Sequence, residues 1–139
     1  MTLTDAGPLI ALLDRDDQAH NACRDALQGL TAPLVTTWPA FTEAMYLVGN
    51  RGGWPAQERL WSLVLRGDLH LVAPDDDQAR RSRNLMEQYR DLPMDLADAS
   101  LVAYAEATGL RQVFTLDAEF TVYRLHGRTP LEIVPPQIS

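Results

Sequence analysis

The residues of this sequence with the most chemistry to offer are acids. Glu43 is the sharpest case, because from 40 to 48 every residue except Thr42 and Glu43 is apolar or aromatic. A helix apolar nearly all round is usually buried. A carboxylate buried there must meet an arginine, a proton or a metal ion, or lie at a helix edge that reaches water. Asp5 and Asp117 each follow a short β-like run, 2–4 and 113–116; aspartate is common in loops and at helix starts, so either alone reads first as structural. Asp95 and Asp98 are three residues apart at the start of a helix-forming run and can point the same way. Asp95 suits an N-cap and Asp98 suits the positive end of the helix. The face of Asp98 continues through Leu101, Val102 and Ala105, which turns it towards the core.

If these acids converge, electrostatics sets a condition. Two carboxylates about 4 Å apart repel by about 4 kcal/mol at an effective dielectric near 20, and each further partner adds to it. Such a cluster needs a cation or raised pKa values. An all-oxygen donor set suits Mg2+ or Mn2+, whereas zinc prefers histidine or cysteine. His20, His70 and His126 show no ligand spacing, and Cys23 is the single cysteine. It lies in an amphipathic run, 20–30, where a small buried side chain fits.

The elements that must position these acids alternate between strand and helix. Short strands are predicted at 2–4, 33–37, 69–72, 113–116 and 131–134. Between them lie helix-forming runs: one opened by Pro8, one capped by Asp16 or Asp17 and reaching Leu27, 38–48 with Pro39 in its first turn, 55–65, a polar run begun by Asp75, Asp76 and Asp77, and 96–107 stopping at Gly109. The segment Gly49-Asn50-Arg51-Gly52-Gly53 separates two of them. This alternation predicts an α/β domain over 1–139 with a mainly parallel sheet, in which function collects at the carboxyl ends of the strands. Asp5 and Asp117 stand at two such ends.

Composition narrows the chemistry further. The twelve basic residues are all arginine, and the absence of lysine removes phosphate-loop NTPases, Schiff-base enzymes and the α/β families whose aspartates need a lysine partner. No Gly-x-Ser-x-Gly elbow and no Cys-x-x-Cys occurs. A net charge of -7 argues at first against a nucleic-acid enzyme. That objection weakens if several of the nineteen acids share one pocket, where a divalent ion turns negative potential into an attachment point for phosphate. No apolar run reaches a membrane span, and residues 1–5 lack the features of a secretory signal, so a cytoplasmic protein is expected.

Four short motifs recur in one order: Thr4-Asp5-Ala6-Gly7-Pro8-Leu9-Ile10-Ala11, Thr42-Glu43-Ala44, Leu92-Pro93-Met94-Asp95-Leu96-Ala97-Asp98-Ala99-Ser100, and Thr115-Leu116-Asp117-Ala118-Glu119-Phe120. Together they resemble the PIN-domain family, above all its VapC-like toxins from type II toxin-antitoxin pairs, across almost the whole chain. The resemblance implies a three-layer fold with a five-stranded, mainly parallel sheet flanked by helices. It further implies an Mg2+ or Mn2+ site made by Asp5, Glu43, Asp98 and Asp117. Asp95 would stand beside them as a ligand, a water-mediated contact or a cap, and Thr115 looks like the hydroxyl that orients the site. One departure is that Ala6 and Gly7 stand where many relatives carry a hydroxyl or amide residue after the first aspartate.

The implied activity is metal-dependent endoribonuclease cleavage by the toxin of a VapBC-type pair, with RNA as substrate, a small antitoxin protein as partner, and a homodimer as a candidate assembly. Arg80, Arg81, Arg83 and Arg90 lie on one polar helix as candidate RNA contacts, against the alternative of a solvated face. Leu12, Leu13, Trp54 and Trp61 are candidates for a partner surface, against core packing. Two competing functions share the fold: a non-catalytic binding module whose acids serve as caps and ion pairs, and a DNA or flap-structure nuclease.

Overall fold

Thr2, Leu3 and Thr4 are all buried, as are all four residues from 34 to 37. Strands covered on both faces belong to parallel sheets with helices on each side. The computed structural model describes residues 1–136, so the last three positions of the expected 1–139 unit lie outside it. The strands are β1 (Thr2–Thr4), β2 (Leu34–Thr37), β3 (Leu69–Val72), β4 (Gln112–Phe114), a two-residue pair β5 (Arg124–Leu125) and β6 (Thr129–Pro130), and β7 (Glu132–Val134). Among the described residues β3-β2-β1-β4-β7 form one parallel sheet in that order, with Leu3 opposite both Val35 and Val113. β1 has β2 on one side and β4 on the other, which puts a topological switch point at its carboxyl end. Ligands of open α/β sheets bind at such points.

The helices are α1 (Ala6–Leu13), α2 (His20–Gln28), α3 (Trp38–Leu65), α4 (Asp76–Gln88) and α5 (Leu96–Thr108). Alternation along the strands divides the core into two. Leu3, Val35 and Val113 pack with Leu85 of α4 and with Leu101 and Val102 of α5. Leu34, Leu69 and Phe114 pack on the other face with Leu9, Phe41, Leu60 and Cys23. The result is the expected three-layer α/β arrangement. Cys23 is fully buried, and desolvation pushes its thiol up to about 11, which fits filler. No described helix is long and apolar enough to cross a membrane.

Several local expectations are corrected. Asp16 and Asp17 do not cap α2: its N-cap is Ala19, without a side-chain bond, while Asp17 accepts from the Ala19 amide and from Arg51. The glycine-rich segment does not end the third helix at 49. Helical backbone persists to Gly52 and breaks at Gly53 alone (φ 63°, ψ -156°), after which Pro55 sits in a new first turn. The pair β5-β6 was not expected; it reverses direction through His126 (φ 52°) and Gly127 (φ 71°). Of the candidate partner-surface residues, Leu12, Leu13 and Trp61 are half-buried against the second core, Trp61 meeting Phe41 edge-on at 5.0 Å, whereas Trp54 is 60% exposed.

Candidate metal centre

Asp5, Asp95, Asp98 and Asp117 are delivered by the ends of elements, and Glu43 by the second turn of α3. Asp5 follows β1 directly: its amide is tied to the Phe114 carbonyl at 2.9 Å, and it becomes the N-cap of α1. Its Oδ1 accepts from the Ala6 amide at 2.8 Å, and its Oδ2 accepts from the Thr115 hydroxyl at 2.8 Å. The backbone amide and Thr115 thus give Asp5 the support that Ala6 and Gly7 have no side chain to give. Asp117 lies three residues past β4 and caps the short 3-10 turn Ala118–Thr121 through the Glu119 amide. Thr115 also accepts from the Asp117 amide at 3.0 Å, so one buried hydroxyl holds both acids.

Asp95 is the N-cap of α5, its Oδ1 accepting from the Asp98 amide at 2.8 Å. Asp98, one turn later, is 6% exposed, and its Oδ2 accepts from the Tyr123 hydroxyl at 2.8 Å. Asp5, Asp98 and Asp117 each bring a carboxylate oxygen within 4.8 Å of the others. Glu43 of α3 and Asp95 line the same pocket, of about 280 Å³, without joining that tight group.

The electrostatics show what the cluster lacks. Arginines pair with Asp14, Asp17, Asp25, Asp68, Asp77, Glu87 and Glu106, but among the described residues no ion pair includes Asp5, Glu43, Asp95, Asp98 or Asp117. Burial pushes the Asp98 carboxyl up to about 8, and its acidic neighbours add to the effect despite the opposing Tyr123 bond. Asp5 and Glu43 are raised for the same reason, burial first and neighbouring acids after it. Of the outcomes open to Glu43, an arginine partner is thus excluded among the described residues; the side chain is half-buried on the pocket lining, where it reaches water and where a proton or a cation can also meet it. Converging oxygens with no basic counter-charge form a donor set for a hard dication, and His and Cys are absent from it. The residues present fit Mg2+ or Mn2+.

The candidate RNA-contacting arginines lie elsewhere. Arg80 pairs with Asp77 at 2.7 Å, Arg83 with Glu87, and Arg90 donates to the Glu87 carbonyl. Arg81 makes a two-pronged pair with the nearly buried Glu106, at 2.7 and 3.1 Å, which ties α4 to α5. None of them lines the acidic pocket. Sequence reasoning missed Tyr123, which is fully buried and bonded to Asp98. The residues around it in the sequence carry no signal of this; it is the fold that buries the ring, and a buried tyrosine hydroxyl usually has a polar partner.

Comparison with known proteins agrees with this architecture. Residues 2–124 match the family model described as PIN domain. A protein of Mycobacterium tuberculosis named Ribonuclease VapC26 is 24% identical over 134 residues, 96% of this chain and 99% of the relative. Among solved structures, M. tuberculosis VapC20, described as a sarcin-ricin loop cleaving toxin, superposes with a TM-score of 0.81 at 15% identity, covering 88% of this chain and 94% of that one. A toxin-antitoxin complex from Klebsiella pneumoniae gives a TM-score of 0.69 at 20% identity, covering 96% of this chain and 100% of that one. With the family model matched over most of its length, this chain belongs to the PIN-domain family.

Proposed function

We propose that this chain is a metal-dependent endoribonuclease and the toxin of a VapBC-type toxin-antitoxin pair, acting in the cytoplasm as one PIN unit. The observation that carries the reading is the convergence of Asp5, Asp98 and Asp117, with Glu43 and Asp95 beside them, on a pocket where, among the described residues, no arginine pairs with any of them. Asp5, Asp98 and Asp117 would hold the ion, with Glu43 and Asp95 completing its surroundings directly or through water. A Mg2+ or Mn2+ ion bound there supplies charge neutralisation and Lewis acidity at a phosphodiester. Asp98 or Asp117, whichever faces the attacking water, accepts its proton. Thr115 keeps Asp5 and Asp117 in register for that step.

Arg80 and Arg83 pair only with exposed acids, so their guanidinium groups can exchange those partners for RNA phosphates. Arg81 is held to Glu106 and has a structural task. A small antitoxin placing a basic side chain among the acids would provide the missing counter-charge and block the ion. The exposed Tyr46, Trp54 and Leu65 offer apolar surface to that partner or to a second copy of the chain.

The test is cleavage of RNA by metal-stripped protein with and without added Mg2+ or Mn2+. Activity should require the ion and should fall at least a hundredfold in Asp5→Asn and in Asp98→Asn while both variants stay folded. Parent-like cleavage by both variants would overturn the assignment, and preferential cleavage of DNA of the same sequence would redirect it to a DNA or flap-structure nuclease.

A further inference from the structure

Tyr123 stands outside the acidic motifs yet reaches into the site they form. It is fully buried, and its ring packs edge-on against Tyr89 and Phe120, with centroids 5.1 Å away in each case. Phenylalanine would fill this position equally well, and the hydroxyl has a use only if it meets a polar group. It meets Asp98 Oδ2 at 2.8 Å, with Glu119 Oε2 as a longer alternative acceptor at 3.3 Å.

Among the described residues Asp98 has a single carboxylate donor, as Asp117 has, where Asp5 has two. Asp5 has donors on both oxygens, from Ala6 and Thr115, and Asp117 is held by the Glu119 amide. Among the described residues the Tyr123 hydroxyl is the one donor to the Asp98 carboxylate. The terminal torsion of an aspartate is broad and nearly two-fold, so an untethered carboxylate can turn. A tether on one oxygen, anchored in a packed aromatic cluster, fixes the plane and keeps the other oxygen for a ligand.

We infer that Tyr123 is a positioning residue for ion capture, its hydroxyl orienting the Asp98 carboxylate towards Asp5 and Asp117. The inference rests on the metal-site reading proposed above. Partners of this kind behind a ligand typically change metal affinity by about ten- to a hundredfold when removed.

Calorimetric titration of Mn2+ into the metal-stripped full chain separates the two claims. The parent should bind, Asp98→Asn should lose binding, and Tyr123→Phe, which keeps the ring, should bind at least about tenfold more weakly with a cooperative melt. Tyr89→Phe is the control: it deletes a hydroxyl from the same aromatic cluster, one that accepts from the Arg124 amide and touches no acid of the site. Its Mn2+ affinity should match the parent even if it melts earlier. Parent-like affinity in Tyr123→Phe, alongside loss in Asp98→Asn, would overturn the positioning role and leave the metal site standing. Equal weakening in Tyr123→Phe and Tyr89→Phe would also overturn it, assigning the effect to packing. A parent that binds no Mn2+ would overturn both.

Discussion

Thr115 and Asp5 are 110 residues apart in the chain, yet the Thr115 hydroxyl donates to Asp5 Oδ2 at 2.8 Å and accepts from the Asp117 amide at 3.0 Å. The contact spans the switch point between β1 and β4, and it makes one side chain responsible for the spacing of two acids. Thr115→Val keeps the shape and removes both bonds, leaving a buried carboxylate oxygen and an amide short of a partner. The expected loss is about 1–3 kcal/mol of stability together with weaker Mn2+ binding, while Thr115→Ser should retain most of both. Chemical denaturation and calorimetry on the two variants check this; equal behaviour of Val and Ser would show that the hydroxyl carries no role.

Arg81 differs from Arg80 and Arg83, the RNA contacts proposed above, in being held by a nearly buried acid. Its guanidinium holds Glu106, whose side chain is 6% exposed and whose carboxyl lies below the usual range, despite its burial, because Arg81 and the His126 amide bond to it. Arg81→Ala leaves that carboxylate without its counter-charge. The cost should be about 1–3 kcal/mol, the arginine's own partial exposure keeping it below the value for a fully buried pair. RNA affinity of the folded fraction should be unchanged, whereas Arg80→Ala with Arg83→Ala should weaken RNA binding and reduce its salt dependence without loss of stability. Gel-shift titrations at two salt concentrations, read beside denaturation curves, distinguish the two.

The acids were legible because each sits within a few residues of the strand or helix end that delivers it. The rule about parallel sheets marked Asp5 and Asp117 as candidates, the helix face marked Asp98 and the apolar helix marked Glu43, while their grouping into one site came from the resemblance to the PIN-domain family. Tyr123 was not legible: its partner lies 25 residues away, and nothing local distinguishes its hydroxyl from a surface one. The arginines of α4 show the converse, a cationic face in sequence whose pairing with Asp77, Glu106 and Glu87 appears only in three dimensions. β5 and β6 are two residues each, too short to show a period, and depend on the reversal at His126 and Gly127.

Gly53 tests why α3 bends where it does. Its φ of 63° with ψ of -156° lies in a region essentially confined to glycine, and an added Cβ would meet nothing nearer than Pro55 Cδ at 3.9 Å. The cost of Gly53→Ala is therefore conformational rather than steric contact with neighbours, about 1–3 kcal/mol. Gly109, at φ 79° and ψ 6° with open space around it, is the comparison site, where left-handed backbone costs a side chain less. A larger fall in denaturation midpoint for Gly53→Ala than for Gly109→Ala is expected, and the reverse order would place the bend's origin elsewhere.

The raised carboxyls fix the sign of the pH response. In the folded, metal-free chain Asp98 is pushed up to about 8, from 3.8 in the absence of the fold, by burial first and by Asp5, Asp95 and Asp117 after it. Asp5 and Glu43 move the same way. A raised carboxyl means that the folded state holds its proton more tightly than the unfolded state, so stability declines as pH rises between the two values and levels off above the folded one. Metal-free protein should therefore melt at a lower temperature at pH 8 than at pH 5.5, and Asp98→Asn should flatten much of that slope. A dication favours the deprotonated acids, so it should restore little at pH 5.5 and much more at pH 8, where a hundredfold excess over Kd contributes about 2.7 kcal/mol. Thermal melts at both pH values, with EDTA or Mn2+, read this directly. Metal-free stability rising from pH 5.5 to 8 would mean that these carboxyls do not share a buried, uncompensated pocket.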